Sequence, residues 1–380
     1  MKKVLVIHNT YRNIGGEDIA VNNEIKLLKK QYIVEDIIYS NDSIFSLSSI
    51  ASFITSSNFR STRLLKNKLH QFKPDVVYVH NTWFQASLGL FKVLKKSNIK
   101  TIVKLHNFRY KCTNTFFSSK HFEKQEICFS CGLNKKDIGV FNKYFTNSYI
   151  KSLLICIYGK RYYKILGDPF FNILVLTNFH MKYFKNIHPH SNVTTFPNYI
   201  NLDDQDIRKD IEKYFIYAGR ISKEKGVEHL IDSFIDAGLE GFKLKIVGYG
   251  PEYTKLVNNK YQNVEFLGEI SNEETLHLIR KSYCAVTATR LWEGQPTLLC
   301  EASSLGTPSI YPNFGGMSEF FPESNSLSFK QFDYKDLTKK LVQASENVFN
   351  IKVGNQNKKF LKNFLHQEKL IDIFESTISE

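Results

Sequence analysis

The chain has 380 residues, a length typical of two domains, and 42% of its residues are hydrophobic against 23% charged. These proportions exclude a largely disordered, collagen-like or coiled-coil protein. Lys and Arg outnumber Asp and Glu by 51 to 37, a formal net charge of +14. The excess lies in residues 51–200, with 23 basic and 5 acidic side chains. This part of the chain is therefore predicted to meet an anionic partner, whether nucleic acid, a phospholipid surface or a phosphorylated substrate.

Short apolar runs alternate with amphipathic segments along the chain. The runs predicted as buried strands of the first half are Val4–Ile7, Ile33–Ile38, Val76–Val79, Thr101–Lys104 and Ile173–Leu176. Those of the second half are Phe215–Ala218, Leu244–Val247, Val264–Leu267, Cys284–Thr287 and Ser309–Tyr311. The predicted helices include Ala20–Lys30, Leu88–Lys96, Val227–Ala237 and Glu273–Lys281. This alternation is typical of an α/β protein whose parallel sheets are covered by helices on both faces.

An Asp-rich polar stretch, Asn198–Asp210, separates the two sets of strands and is the predicted linker. We therefore expect an N-terminal domain over residues 1–200 and a C-terminal domain over 201–356. An amphipathic helix within 357–380 is expected to pack on one of them. Functional loops of doubly wound domains lie at the carboxyl ends of the strands, so a site in a cleft between the domains is predicted.

The N-terminus and the cysteines bear on location. Lys2 and Lys3 precede only a short apolar run, which is too short for a signal peptide. Six Cys without such a signal favour a reducing compartment and no disulfides. The most apolar stretch, Tyr149–Leu166, contains four cationic residues and is not expected to cross a membrane. These features predict a cytoplasmic protein.

The most informative segment surrounds Pro296. Proline suits the first turn of a helix, so the N–H groups of Thr297 and Leu298 can point at an anion such as a phosphate. Glu293 and Glu301 lie eight residues apart and can reach different parts of one elongated ligand. Ionised carboxylates beside a phosphate suit the hydroxyls of a nucleotide sugar. The alternative is that Glu293 only stabilises the helix dipole and Glu301 is a solvated helix residue.

A second charged loop follows the predicted strand that ends at Ala218. Arg220 comes directly after this strand, and Lys225 precedes the next predicted helix. A guanidinium fork and an ammonium at these positions can converge on a diphosphate. Basic residues in such a loop are also common as simple surface decoration.

Taken in this order, these elements resemble the retaining glycosyltransferases of family 4, also called glycosyl transferases group 1. The resemblance implies the GT-B fold, in which two doubly wound Rossmann-like domains face each other across a cleft. It also implies a hexosyltransferase-type enzyme that uses a UDP-, GDP- or ADP-linked sugar and needs no cofactor. The resemblance extends to a surface-polysaccharide type of transferase, with a glycan or polyprenyl-diphosphate-linked glycan as acceptor bound by the N-terminal domain.

The resemblance also assigns residues. It implies that Arg220 and Lys225 neutralise the donor diphosphate, that Glu293 meets the sugar hydroxyls and that Glu301 meets the ribose. His106, after a strand of the first half, resembles the family's histidine that faces the donor sugar. The other donor-binding positions that it implies are Gly15, Gly16, Gly248, Val264, Phe266, Gln295, Pro296, Thr297 and Leu298. Gln295 stands where many relatives carry Phe.

Retention of configuration raises the question of a nucleophile, and no carboxylate of the first half is an obvious candidate. Same-face attack is therefore favoured, in which the donor phosphate leaves and its own oxygen helps to deprotonate the acceptor hydroxyl. Arg220, Lys225 and the helix amides would stabilise the leaving diphosphate. No catalytic metal is expected, because two cations and a helix terminus supply the positive charge.

Three cysteines after His106 have spacings compatible with a structural zinc site. Cys112, Cys128 and Cys131 form the group, with His106 or His121 as a fourth ligand. A subset of the family carries a similar group. The alternative is buried thiols without metal.

The basic block also contains many aromatic residues, as in Lys182–Lys185, a mixture that suits the surface of an anionic bilayer. A peripheral enzyme at the inner face of the cell membrane is therefore predicted, against the alternative of a solvated basic surface. A nucleic-acid-binding protein is a further alternative, but no recognisable module supports it and no nucleic-acid partner is expected. A related epimerase would act without an acceptor, and a phosphorylase would need a cofactor lysine motif that the sequence lacks.

Overall fold

The computed structural model describes residues 1–10, 16–41, 54–108, 110, 148–200, 208 and 210–379. Within these ranges the chain forms two compact units. The first contains described residues of 1–199 together with 366–379, and the second contains those of 200–365. Each unit has a six-stranded sheet whose strand pairs are parallel. The predicted α/β class with two doubly wound sheets is confirmed.

The sheet of the first unit has the strand order β2-β1-β3-β4-β5-β6. Its strands are Lys3–Thr10 (β1), Ile33–Ser40 (β2), Val76–Val79 (β3), Lys100–Leu105 (β4), Phe171–Val175 (β5) and Val193–Thr195 (β6). Its helices up to residue 199 are Gly16–Leu28 (α1), Phe59–Phe72 (α2), Gly89–Ser97 (α3), Tyr149–Leu166 (α4) and Asn178–Ile187 (α5). The winding direction changes between β1 and β3, so the crevice that such sheets use for ligands lies at the carboxyl ends of these two strands.

The second unit has the strand order β12-β11-β10-β7-β8-β9. Its strands are Tyr214–Ala218 (β7), Lys243–Val247 (β8), Val264–Gly268 (β9), Cys284–Val286 (β10), Ser309–Pro312 (β11) and Ser328–Phe329 (β12). Its helices are Val227–Asp236 (α6), Tyr253–Asn258 (α7), Asn272–Lys281 (α8), Thr297–Ser304 (α9), Tyr334–Ala344 (α10) and Asn347–Phe364 (α11). Counted within the unit, this is the strand order of the dinucleotide-binding fold, with its switch point between β7 and β10.

The strands are buried runs for a physical reason. Residues Val4–Ile7 of β1 and all residues of β3 are buried, because helices cover both faces of a parallel sheet. Helices begin where side chains cap them: Asn58 accepts N–H bonds from the first turn of α2, and Ser271 forms a capping box with Glu274 on α8.

The C-terminal region differs from the single helix predicted within 357–380. The structure has two helices there, α11 and a further one, α12, over Gln367–Ser379, with a break at Leu365 and His366. Leu361 and Leu365 pack in a core of the second unit, whereas Phe374 packs against Tyr32 and Tyr78 of the first. The break arises because the two halves of this segment bury their apolar faces in different cores.

Candidate functional site

The loops that follow β7 and β10 meet at the switch point of the second unit. The β7 loop carries Arg220 and continues through a short 3-10 turn at Lys223–Lys225 to α6. The β10 loop carries Glu293. A backbone hydrogen bond of 2.9 Å from Arg290 N to Glu224 O ties the two loops together. The structure therefore brings the two charged segments singled out in the sequence into one place.

Lys225 and Glu293 form an ion pair in this place. Lys225 Nζ donates to Glu293 Oε1 at 2.6 Å, and Thr289 Oγ1 donates to the same oxygen at 2.8 Å. Both charged side chains keep part of their surface exposed, 28% for Lys225 and 19% for Glu293. The ammonium has three N–H donors, so the pair leaves it able to bind an anion as well.

Arg220 lies beside this pair along the chain and is exposed. The hydroxyl of Tyr217 donates to the carbonyl of Arg220 at 2.8 Å, which fixes the backbone from which the guanidinium extends. The loop therefore has an anchored backbone and an exposed cationic side chain, an arrangement suited to an incoming anion.

Glycine allows the loops after β7 and β8 to approach each other closely. Gly248 has φ +123°, and a Cβ built on it would lie 2.1 Å from the carbonyl oxygen of Gly219. Gly248 N–H in turn donates to Gly268 O at 2.7 Å. The predicted site residue Gly248 thus holds together the carboxyl ends of β7, β8 and β9.

We expect Gly248→Ala to destabilise the second unit by about 3 kcal/mol, because the new Cβ collides with backbone and the left-handed region disfavours side chains. Gly238→Ala is the matched control, since Gly238 also has positive φ but no atom of the described residues lies within 4 Å of its Cβ position. The control should cost only about 1 kcal/mol. Urea unfolding measures both, and equal losses would contradict a steric role for Gly248.

The helix α9 begins one residue later than the sequence predicts. Pro296 is its N-cap rather than part of its first turn, and no side chain in the described part of the chain caps the N–H groups that begin at Thr297 and Leu298. Gln295 is buried and its side chain hydrogen-bonds to Cys300. Glu301 is half-buried one turn into the helix, and burial raises its pKa to about 7. The carboxyl of Glu301 is therefore poised between its neutral and charged forms near neutral pH.

Val264 and Phe266 lie on β9 and not in the loops that carry Arg220 and Glu293. Their strand, β9, is at the edge of the sheet and not in its middle, and both side chains pack partly buried against the core of the unit. Of this segment, Gly268 lies at the carboxyl end, where it bonds to Gly248. The predicted strand Val264–Leu267 is present, and the donor-binding role that the resemblance implies for Val264 and Phe266 stays a prediction.

In the first unit, His106 follows β4 directly and lines a pocket with His80, Asn81 and Asn107. His80 Nδ1 lies 3.0 Å from His106 Nε2. Gly16 is the exposed first residue of α1, whereas Gly15 is outside the described residues. Cys112, Cys128 and Cys131 are outside them too, so the zinc site stays a prediction. In the described part of the chain, no group of three or more His, Cys, Asp or Glu side chains is placed to hold a metal ion.

Buried charges near this pocket were missed by sequence reasoning. Lys104 pairs with Glu24, and both side chains are almost fully buried. His8 Nε2 and Asp18 Oδ1, also buried, lie 2.8 Å apart. His80 has the signal that singled out His106, a histidine directly after a buried strand, and could have been found in the same way. Lys104 and Glu24 are 80 residues apart in sequence, and no local pattern connects them.

Comparison with known proteins gives these features a context. Residues 200–363 match the family described as glycosyl transferases group 1. The matched residues lie in the second unit, which contains the described residues of 200–365. Over 131 residues, 33% of this chain and 37% of the relative, the chain is 29% identical to the amylovoran biosynthesis glycosyltransferase AmsD of Erwinia amylovora. Over 259 residues, 66% of this chain, it is 29% identical to an uncharacterised glycosyltransferase of Methanocaldococcus jannaschii, MJ1059.

These matches to curated relatives span between 30 and 58% of the relatives' own lengths. Solved structures match more broadly. Sucrose-phosphate synthase from Thermosynechococcus elongatus aligns with 99% of this chain at a TM-score of 0.70 and 15% identity, with 98% of its own chain covered. Anabaena HepE in complex with UDP and glucose aligns over all of both chains at a TM-score of 0.65 and 13% identity. Together with the two parallel sheets, this likeness shows the GT-B fold.

Proposed function

We propose that the protein is a glycosyltransferase that moves a sugar from a nucleotide-sugar donor to a hydroxyl of a glycan acceptor. The observation that carries the proposal is the Lys225–Glu293 pair beside the exposed Arg220, at the switch point of the second unit. In the crevice at this point, cations suit a diphosphate and a carboxylate suits sugar hydroxyls.

The reaction follows from these charges. Arg220, Lys225 and the first N–H groups of α9 stabilise the negative charge that develops on the leaving diphosphate. Glu293 accepts hydrogen bonds from hydroxyls of the donor sugar, Glu301 accepts them from the ribose, and His106 contacts the transferred sugar. Attack on the same face gives retention, with a phosphate oxygen of the donor taking the proton of the acceptor hydroxyl. The anomeric configuration of the product, read by nuclear magnetic resonance, tests this step, and inversion would contradict it.

Surface-polysaccharide synthesis with a lipid-linked acceptor is the process that we propose. AmsD is named for amylovoran biosynthesis, and a solved structure that also matches is the lipopolysaccharide outer core galactosyltransferase WaaB, at 16% identity and a TM-score of 0.61. The first unit adds exposed apolar side chains, Phe59 on α2 and Ile150 on α4, to its basic surface. None of the helices in the described ranges combines the length and apolarity needed to cross a bilayer.

The membrane part of the proposal has a direct test. We expect the protein to sediment with vesicles of anionic phospholipid and not with neutral ones, and Phe59→Ser with Ile150→Ser to weaken this binding. Val342→Ser, at an exposed apolar residue of the second unit, is the control. Binding that ignores lipid charge would count against an anionic membrane partner.

The donor site is tested by thermal shift with UDP-, GDP- and ADP-linked sugars. A donor at a hundred times its Kd should stabilise the protein by about 2.7 kcal/mol, and Glu301→Ala should lose this shift. Glu228→Ala is the matched control, because Glu228 is an exposed carboxylate of the same domain. If no nucleotide sugar shifts the melting point while oligonucleotides do, the protein is instead a nucleic-acid binder. Consumption of the donor without an acceptor would indicate an epimerase.

A pH dependence follows from Glu301. Ribose hydroxyls donate hydrogen bonds to the ionised carboxylate of Glu301, so a nucleotide sugar binds best when this carboxyl group has lost its proton. In the protein without ligand the pKa of Glu301 is about 7. Affinity for a nucleotide sugar should therefore rise about tenfold from about pH 6 to about pH 8 and then level off. The diphosphate of a nucleotide sugar does not titrate in this range. Glu301→Gln should abolish the rise in calorimetric titrations, and a rise of equal size in the variant would refute the role of Glu301.

A further inference from the structure

Four histidines lie in a row along the carboxyl edge of the sheet of the first unit. His8 is on β1, His80 follows β3, His106 follows β4, and His180 is on α5 after β5. Because β1, β3, β4 and β5 are consecutive neighbours in the sheet, the topology places the histidines next to one another. Ring centroids are 6.1 Å apart for His8 and His80 and 5.3 Å apart for His80 and His106.

The outer two histidines have partners of their own, and the inner two have each other. His8 bonds to Asp18, and His180 Nε2 lies 3.0 Å from the hydroxyl of Tyr110. His80 Nδ1 and His106 Nε2 are 3.0 Å apart, with ring planes inclined by 26°. A hydrogen bond between two ring nitrogens needs one N–H and one bare lone pair, so the two rings cannot both be cationic.

The surroundings keep both inner rings neutral. Burial lowers the pKa of His80 and of His106 well below the usual value, and the positive charge of Lys104 lowers both further. Lys104 is itself paired with Glu24, which also accepts a bond of 2.8 Å from the hydroxyl of Tyr78. His8 and His180 are the other titratable groups that act on the pair. At neutral pH the two inner rings therefore share a single proton in their common hydrogen bond.

A shared proton couples the tautomers of the two rings. A neutral imidazole carries one N–H, so if His80 donates, His106 must carry its proton on Nδ1 and act there as a donor. If His106 donates, its Nδ1 is a bare acceptor. His80 Nε2 and His106 Nδ1 are both buried and have no partner among the described residues. The tautomer of His106 is thus coupled to that of His80.

We propose that His80 is a positioning residue for His106. Its Nδ1 bonds to His106 Nε2, holds the His106 ring in one orientation and couples the tautomers of the two rings. Only the effect on sugar transfer rests on the proposed function, in which His106 contacts the transferred sugar. The bond and the tautomers are properties of the ligand-free protein, so they can be measured separately.

The first experiment uses the ligand-free wild-type protein with isotope-labelled histidine. Nitrogen spectra should show both rings neutral at about pH 6.5, where an ordinary histidine is half-protonated, in complementary tautomers and with a coupling across the hydrogen bond. Ordinary titration of His106 near pH 6.5, or tautomers of the two rings that are not complementary, would overturn the proposal.

The second experiment compares three variants. His80→Phe fills the space without a hydrogen bond, so the coupling at His106 Nε2 should disappear, the tautomer balance of His106 should change, and kcat should fall about tenfold with KM for the donor little changed. His80→Asn places an amide near the former Nδ1 and should restore both readouts in large part. His180→Phe removes a buried histidine outside the pair and should leave the His106 tautomer unchanged.

The outcomes distinguish the positioning role of His80 from the substrate contact of His106. A His106 tautomer that is the same in His80→Phe as in the wild type refutes the positioning role. Should His80→Phe fail to fold, the wild-type spectra and His80→Asn still decide. If His106→Phe transfers sugar at the wild-type rate, the substrate role of His106 in the proposed function fails, while the tautomer result stands on its own.

Discussion

Replacement of Lys225 by Met should lower the rate of sugar transfer between about 100-fold and 1,000-fold. The ammonium lies 2.6 Å from Glu293 and next to an anchored loop, so it is held in place before the diphosphate begins to leave. Preorganised charge of this kind stabilises a transition state strongly, because no reorganisation is needed during the reaction. The loss should appear in kcat, measured with saturating donor and acceptor.

A double-mutant cycle shows whether the pair acts as a unit. Lys225→Met with Glu293→Gln should be no slower than Lys225→Met alone, since either change already breaks the arrangement. Lys255→Met is the matched control, because it breaks an exposed ion pair of 2.8 Å with Glu228 in the same domain. A Lys225→Met enzyme that keeps more than about a tenth of the activity would contradict electrostatic stabilisation by this residue.

A comparable effect, on stability, is expected at Lys104. Lys104→Met should destabilise the first unit by about 4 kcal/mol, because it leaves the carboxylate of Glu24 buried without its cation. Tyr78 still donates to Glu24, but one neutral hydrogen bond does not replace a charge. Lys104 also lies 4.5 Å above the ring of Phe196, a contact that Met retains only in part. Urea unfolding gives the change in free energy.

The two tryptophans make this measurement specific. Trp83 lies in the first unit and Trp292 in the second, so Trp83 fluorescence in a Trp292→Phe background reports the first unit alone. Lys104→Met with Glu24→Met should recover most of the lost stability, since two apolar side chains replace a buried pair at little cost. Lys68→Met, which breaks a more exposed pair with Glu35, should change stability by less than about 1 kcal/mol. A double variant as unstable as the single one would refute burial of an unpaired charge as the cause.

The sheets could be predicted from the sequence wherever their strands are long apolar runs. The predicted strand Val76–Val79 coincides with β3, since burial on both faces leaves an uninterrupted apolar signature. The strands β6 and β12 were missed because they have three and two residues, too few for any periodicity, and both lie at sheet edges. The change of core between α11 and α12 was missed because both segments are amphipathic.

The candidate site could be predicted in part for a related reason. Arg220, Lys225 and Glu293 stand in loops that directly follow predicted strands, where ligand sites of such sheets occur. The bond between Lys225 and Glu293 could not be predicted, because it depends on β10 pairing with β7 rather than with β9. Glu24 was not singled out in the sequence, because most carboxylates on an amphipathic helix face solvent and the burial of this one depends on a lysine of a strand.

The position of α12 at the end of the chain determines which of the two units can complete its folding first during translation. Ribosomes make the entire second unit before α12, yet Phe374 of this helix packs against Tyr32 and Tyr78 of the first. Phe374 therefore cannot cover Tyr32 and Tyr78 of the nascent first unit while residues 200–365 are translated. The second unit, although it is translated later, can finish folding first. Synthesis halted before residue 366 should yield a folded second unit attached to a first unit that still exposes part of its core.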